Sequence, residues 1–143
     1  MILFAITLAC TIGGIIGGKL ADSKGDEKVL LWTLGISPIF IIAGLNTTGF
    51  LSIASLIIGF AFLQASNPVT TAIAQKKCPM SRSTVSSLAM GVSWGIANLL
   101  TTPVGFSADI FGLEKTLRVV AFLPWTVTVW YAATMIFSAK VKR

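Results

Sequence analysis

Four uncharged side chains stand inside long apolar runs with the spacing that recognition chemistry needs. Gln64 and Asn67 are three residues apart, and Trp94 and Asn98 are four apart, so on helices each pair shares a face. An amide is costly in hydrocarbon, and polar residues within apolar spans mark candidate substrate paths. Pro68 follows Asn67 directly. It has no N–H, so it leaves a backbone carbonyl free nearby, as in the broken helices around transport sites. The same amides could instead bridge helices as structural hydrogen bonds. A second group lies in the charged stretch from Gly18 to Lys28, where Asp22, Asp26 and Glu27 alternate with Lys19, Lys24 and Lys28 around Gly25. As a solvated turn its ion pairs would be worth about 0–1 kcal/mol each.

Other chemistries lack their residues. The chain has no histidine, and no Asp or Glu falls inside an apolar run, so the spans hold no proton carrier. Cys10, within an apolar run, and Cys78, beside Lys77 and Pro79, have no metal-ligand spacing and read as a small buried residue and a loop thiol. There is no glycine-rich phosphate loop and no nucleophile paired with a base, so neither ATP-driven pumping nor an enzyme is expected. No cofactor or metal is expected either.

The elements that carry these residues follow from charge distribution. Of 143 residues 55% are hydrophobic and 11% charged, against roughly a quarter charged in soluble domains. The stretches Met1–Gly18, Val29–Gln75, Ser83–Ala108 and Val119–Ala139 contain no Asp, Glu, Lys or Arg. About 20 apolar residues cross ~30 Å of hydrocarbon as a helix. Val29–Gln75 is too long for one span and is interrupted at Gly44-Leu45-Asn46-Thr47-Thr48-Gly49. The expected architecture is therefore all-α, a polytopic transmembrane bundle with about five spans, near 1–19, 29–45, 49–75, 83–108 and 119–139. Gly13/Gly17, Gly14/Gly18 and Gly91/Gly95 form small-xxx-small pairs that let helices approach closely. Trp32, Trp125, Trp130 and Tyr131 read as interface or packing aromatics. The first run lacks a basic leader and a small-residue cleavage site, so it is not read as a signal peptide.

Lysine and arginine set the expected orientation. Alternate connections and the C-terminus carry nine basic residues, at Lys19, Lys24, Lys28, Lys76, Lys77, Arg82, Lys140, Lys142 and Arg143. The other connections carry two, Lys115 and Arg118. The positive-inside rule then puts the C-terminus in the cytoplasm and Met1 outside. The net charge of +6 is thus a topology signal, and no nucleic-acid partner is expected. Asn46-Thr47-Thr48 fits a glycosylation sequon, but a tight turn at the bilayer makes it a poor acceptor, and a helix-ending Asn accounts for it. An apolar, outward N-terminus with nothing before it to orient it is expected of a chain cut from a longer protein. The alternative is a natural five-helix subunit.

The Gly18–Lys28 stretch resembles the Gly-x-x-x-Asp-Arg-x-Gly-Arg-Arg/Lys loop of the major facilitator superfamily, in its second-half copy. Gly18, Asp22, Gly25 and Lys28 match or nearly match, while Ser23, Asp26 and Glu27 depart where basic residues are usual. From Ala74 to Pro124 the chain resembles the final helices of fosmidomycin-resistance-type efflux transporters. The pieces are Ala74-Gln75, a short basic loop with Pro79 and Arg82, Met90-Gly91-Val92-Ser93-Trp94-Gly95, Gly105-Phe106-Ser107-Ala108-Asp109, Phe111-Gly112-Leu113-Glu114 and Ala121-Phe122-Leu123-Pro124. The resemblance implies helices eight to twelve of a twelve-helix transporter, a partial C-terminal half. It further implies proton-coupled efflux of small molecules by alternating access from the inner membrane, with the N-terminal half as partner. A non-transporting membrane subunit or decayed gene fragment is the alternative.

Overall fold

The computed structural model describes residues 2–78 and 81–141. Met1, Pro79, Met80, Lys142 and Arg143 lie outside the described residues, and with them the expected placements of Met1 and Arg143 and the proline of the basic loop. The described residues form helices and no strand: α1 (Ile2–Lys24), α2 (Asp26–Asn46), α3 (Phe50–Lys77), α4 (Arg82–Phe111), α5 (Leu113–Ala121) and α6 (Leu123–Val141). By length and composition α1, α2 and α3 are long and apolar enough to cross a membrane. Helix α4, with 30 residues, is about 45 Å long at ~1.5 Å per residue.

The charged stretch expected as a loop is nearly all helix. Helix α1 runs to Lys24 and α2 starts at Asp26, so the turn is Gly25 alone. Its φ of +93° belongs to glycine, and its N–H closes α1 on the Ala21 carbonyl at 2.9 Å. The second turn falls where the turn-forming residues place it. Asn46 ends α2 with its side-chain amide on the Ile42 carbonyl at 2.8 Å, and Ser52 donates to the Gly44 carbonyl at 2.7 Å.

Helix α3 is the centre of the bundle, packed lengthwise on both α1 and α2. Glycine makes both seams. A Cβ on Gly17 would lie 2.6 Å from the Ala65 carbonyl oxygen, and one on Gly13 would fall on the Ala61 carbonyl. On the other side Gly44 faces Leu56, Gly59 faces Ile41, and Phe40 stacks on Phe62 with ring centroids 6.0 Å apart. The expectation of tight contacts at Gly14/Gly18 and Gly91/Gly95 is not met within this chain. A Cβ at any of these four meets nothing within 4 Å.

The helix is interrupted within the stretch expected as the fifth span, 119–139. A break at Phe122 separates the amphipathic α5 from α6. Pro124 has no N–H for the Val120 carbonyl, so the helix cannot continue through it without losing that bond. Lys115 and Arg118 consequently lie on a helix, and Arg118 pairs with Glu114 at 2.6 Å, one turn away. Helix α6 packs on α2, where the Trp125 indole donates to the Gly35 carbonyl at 2.9 Å.

Few side chains are fully buried. Ala21, Val29, Leu30 and Val69 form a small core flanked by Leu34, Ile73 and Tyr131. Large apolar side chains point outward instead, among them Phe4, Trp32, Phe50, Trp94, Leu99 and Trp130. Water would not tolerate so much apolar surface, whereas hydrocarbon or further helices would.

Candidate functional site

The two pairs, Gln64/Asn67 and Trp94/Asn98, come together only in part. Asn67 and Trp94 line one open cleft of about 310 Å³ between α3 and α4. Gln64 joins through Asn67, whose amide donates to its side-chain oxygen at 3.1 Å. Asn98 is exposed on α4 and is not part of the cleft lining. Helix α3 runs unbroken through Pro68. The missing N–H still leaves the carbonyl of Gln64, one turn before the proline, without its usual helical partner. Thr70, Thr71, Met90 and Ser93 complete the polar and soft lining, and no charged side chain reaches it. The threonine protons are spent on their own helix, Thr70 on Ser66 and Thr71 on Asn67, so both hydroxyls offer lone pairs to the cleft. Such a wall can hold an uncharged polar or aromatic group; it has no group that could carry a proton.

Helix α4 approaches α3 at its first turns, where Gln75 donates to Ser86 at 2.5 Å and Val85 is its one buried residue. Beyond that its side chains are largely exposed, and Trp94 is 71% exposed at the edge of the cleft.

The charged end of the bundle is more ordered than the sequence suggests. Asp26 and Glu27 open α2, and Lys76 and Lys77 close α3, so each charge is favourable to its helix dipole. Lys76 reaches Asp26 at 2.5 Å and Lys77 reaches Glu27 at 2.8 Å. Lys77 also lies 5.8 Å from the centre of the Tyr131 ring. The hydrogen bond from Lys77 holds the Glu27 carboxyl below its ordinary range, and the same bond raises the Lys77 ammonium. Of the loop residues singled out by spacing, Gly25 makes the turn, while Asp22 and Lys28 are exposed without an ion pair among the described residues. Gly18 is a helical residue of α1.

Sequence reasoning thus missed two sets of residues. Thr70 and Thr71 stand at i+3 and i+4 from Asn67, and Met90 at i−4 from Trp94, so helical spacing alone could have added them. The partners of Asp26 and Glu27 are 50 residues away, and no local signal names them.

No family model matches the chain, and no solved structure matches it. Two curated proteins do. The chain is 34% identical over 127 residues to the fosmidomycin resistance protein of Escherichia coli, covering 85% of this chain and 30% of that protein. It is 33% identical over 127 residues to an uncharacterized MFS-type transporter of Bacillus subtilis, with the same shares of 85% and 30%. The chain therefore spans about a third of the length of the curated relatives it matches. Agreement along this much of an all-helical, apolar chain places it in the major facilitator superfamily, as a partial match to the family's transporters.

Proposed function

We propose that the chain serves as part of a secondary transporter. In this reading α1, α2, α3, α4 and α6 cross the inner membrane and α5 lies at its surface. The wall formed by α3 and α4 lines the path of a small, uncharged or amphiphilic substrate, with Asn67 and Trp94 at its centre and Gln64 and Asn98 on the same helix faces. The resemblance to efflux transporters favours export against protons. The apolar runs carry no acid or histidine, so the proton-binding group would belong to another segment. The basic count favours the turn at Gly25 and the C-terminus on the cytoplasmic side. Alternating access then rocks this segment against the remainder of the transporter about the cleft.

The observation that carries the reading is one open cleft lined from two helices by Asn67 and Trp94, with polar and apolar side chains and no charged one. In a variant lacking Cys10 and Cys78, Asn67→Cys and Trp94→Cys should react with a membrane-impermeant thiol reagent in native membranes. The rate should be about tenfold or more above that of Trp130→Cys, which is equally exposed but lies on an apolar face. Equal, slow labelling at all three positions would reject the path and favour a non-transporting membrane subunit whose amides only join helices.

A further inference from the structure

The cleft between α3 and α4 has a hydrogen-bonding polarity as well as a shape. Asn67, Thr70 and Thr71 stand at i, i+3 and i+4, so they form one stripe of α3. Met90 and Trp94 stand at i and i+4 on α4 and line the same cleft. At about 310 Å³ it has room for a substituted ring, at the lower end of the roughly 300–1,000 Å³ usual for small-molecule sites.

The hydrogens of the α3 stripe are largely committed. A threonine hydroxyl has a single proton and two lone pairs. Thr70 donates its proton to the Ser66 carbonyl at 2.8 Å, and Thr71 donates to the Asn67 carbonyl at 3.1 Å. Asn67 spends one amide hydrogen on the Gln64 side-chain oxygen at 3.1 Å. What α3 turns to the cleft is therefore mostly lone pairs, on both threonine oxygens and on the Asn67 side-chain oxygen. The hydrogens that remain on the lining are the second one of Asn67 and that of Ser93. No lysine, arginine, aspartate or glutamate lines the cleft, so a full charge would enter it without a counter-charge. Trp94 and Met90 add an apolar, polarizable face of the kind that an aromatic ring packs against.

We propose that this cleft takes the uncharged end of a substrate whose aromatic ring carries a hydroxyl or N–H group, with Thr70 and Thr71 selecting for that donor. The proposal rests on the reading of the cleft as a transport path and adds the chemistry that the path prefers. The ring packs on Trp94 and Met90 while its donor reaches the threonine oxygens. Any charged group of the same substrate stays outside the cleft.

The test starts from the variant lacking Cys10 and Cys78, in native membranes, with Ala97→Cys as a reporter on the cleft lining. Labelling by a membrane-impermeant thiol reagent is followed with resorcinol or its dimethyl ether as the competitor. The two share a ring, and only resorcinol has hydrogens to donate. Neutral hydrogen bonds contribute modestly net, so resorcinol should halve the labelling rate at about fivefold lower concentration than the ether. Thr70→Val/Thr71→Val keeps the branched side chains without their oxygens and should abolish the difference, whereas Thr70→Ser/Thr71→Ser should retain it. With Ala97→Cys labelled rapidly, equal protection by the two compounds, protection by neither, or a difference that survives the valine pair would overturn the proposal and leave the path standing. Labelling of Ala97→Cys as slow as that of Trp130→Cys would overturn the path and this inference with it.

Discussion

Gly17→Ala should destabilise the bundle by about 1–3 kcal/mol, whereas Gly18→Ala, one residue on, should be neutral or stabilising by up to about 1 kcal/mol. The opposite signs follow from packing alone. At Gly17 a methyl group would stand 2.6 Å from the Ala65 carbonyl oxygen and 2.7 Å from the Ala65 Cβ, both on α3. Backbone cannot yield as a side chain can, so α1 must move off α3 along the seam that also holds Gly13 on Ala61. At Gly18 the same methyl meets nothing within 4 Å, and alanine is simply the better helix former. Denaturant midpoints of the two variants in detergent, set against the unmodified chain, give the comparison. Equal effects would mean that α1 does not dock on α3 through this face.

The second large effect is expected at the charged end. Lys76→Ala removes the partner of Asp26, a carboxylate left 9% exposed with its other oxygen already unpaired. Lys76 itself is 65% exposed, so solvent screens part of the pair. The loss should be about 1–3 kcal/mol, set mainly by the stranded carboxylate. Lys76→Ala combined with Asp26→Asn should recover most of it, because an amide carries no charge to strand. Lys77→Ala should cost less than Lys76→Ala, since Glu27 is 38% exposed and can turn to water. If Lys76→Ala and Lys77→Ala cost the same, burial of Asp26 is not what makes its pair matter.

The fold was legible wherever the membrane imposes a simple rule. The charge-free runs lie on helices, and Gly25 and the Asn46–Gly49 stretch lie at two of the connections between them. The rule failed at Phe122. Val119–Ala139 is free of charge, yet the helix breaks inside it, and Pro124 was the local signal that hydropathy cannot weigh. Glycine spacing raised three pairs to equal rank, but only Gly13/Gly17 meets a neighbour within this chain, because spacing names a face and not its partner. The candidate site was half legible for the same reason. Helical periodicity aligned Asn67 with Gln64 and Trp94 with Asn98, and only the α3–α4 crossing brought Asn67 to Trp94 while leaving Asn98 outside. The acids at 26 and 27 stood out as departures from a basic loop pattern; their pairing with Lys76 and Lys77 depends on the α2–α3 hairpin returning to its starting level.

The central claim is that this segment contributes one wall of a transport path and completes it together with further helices. It is tested most directly by drug-dependent proton flux in liposomes under a pH gradient. The chain alone, which spans about 30% of its relatives' length, should give no flux above empty liposomes. Co-reconstitution with the N-terminal part of the Escherichia coli relative should produce it, and Trp94→Ala should then reduce it about tenfold or more. Robust flux from the 143-residue chain by itself, or flux in the complemented system that is indifferent to Trp94, would contradict the account.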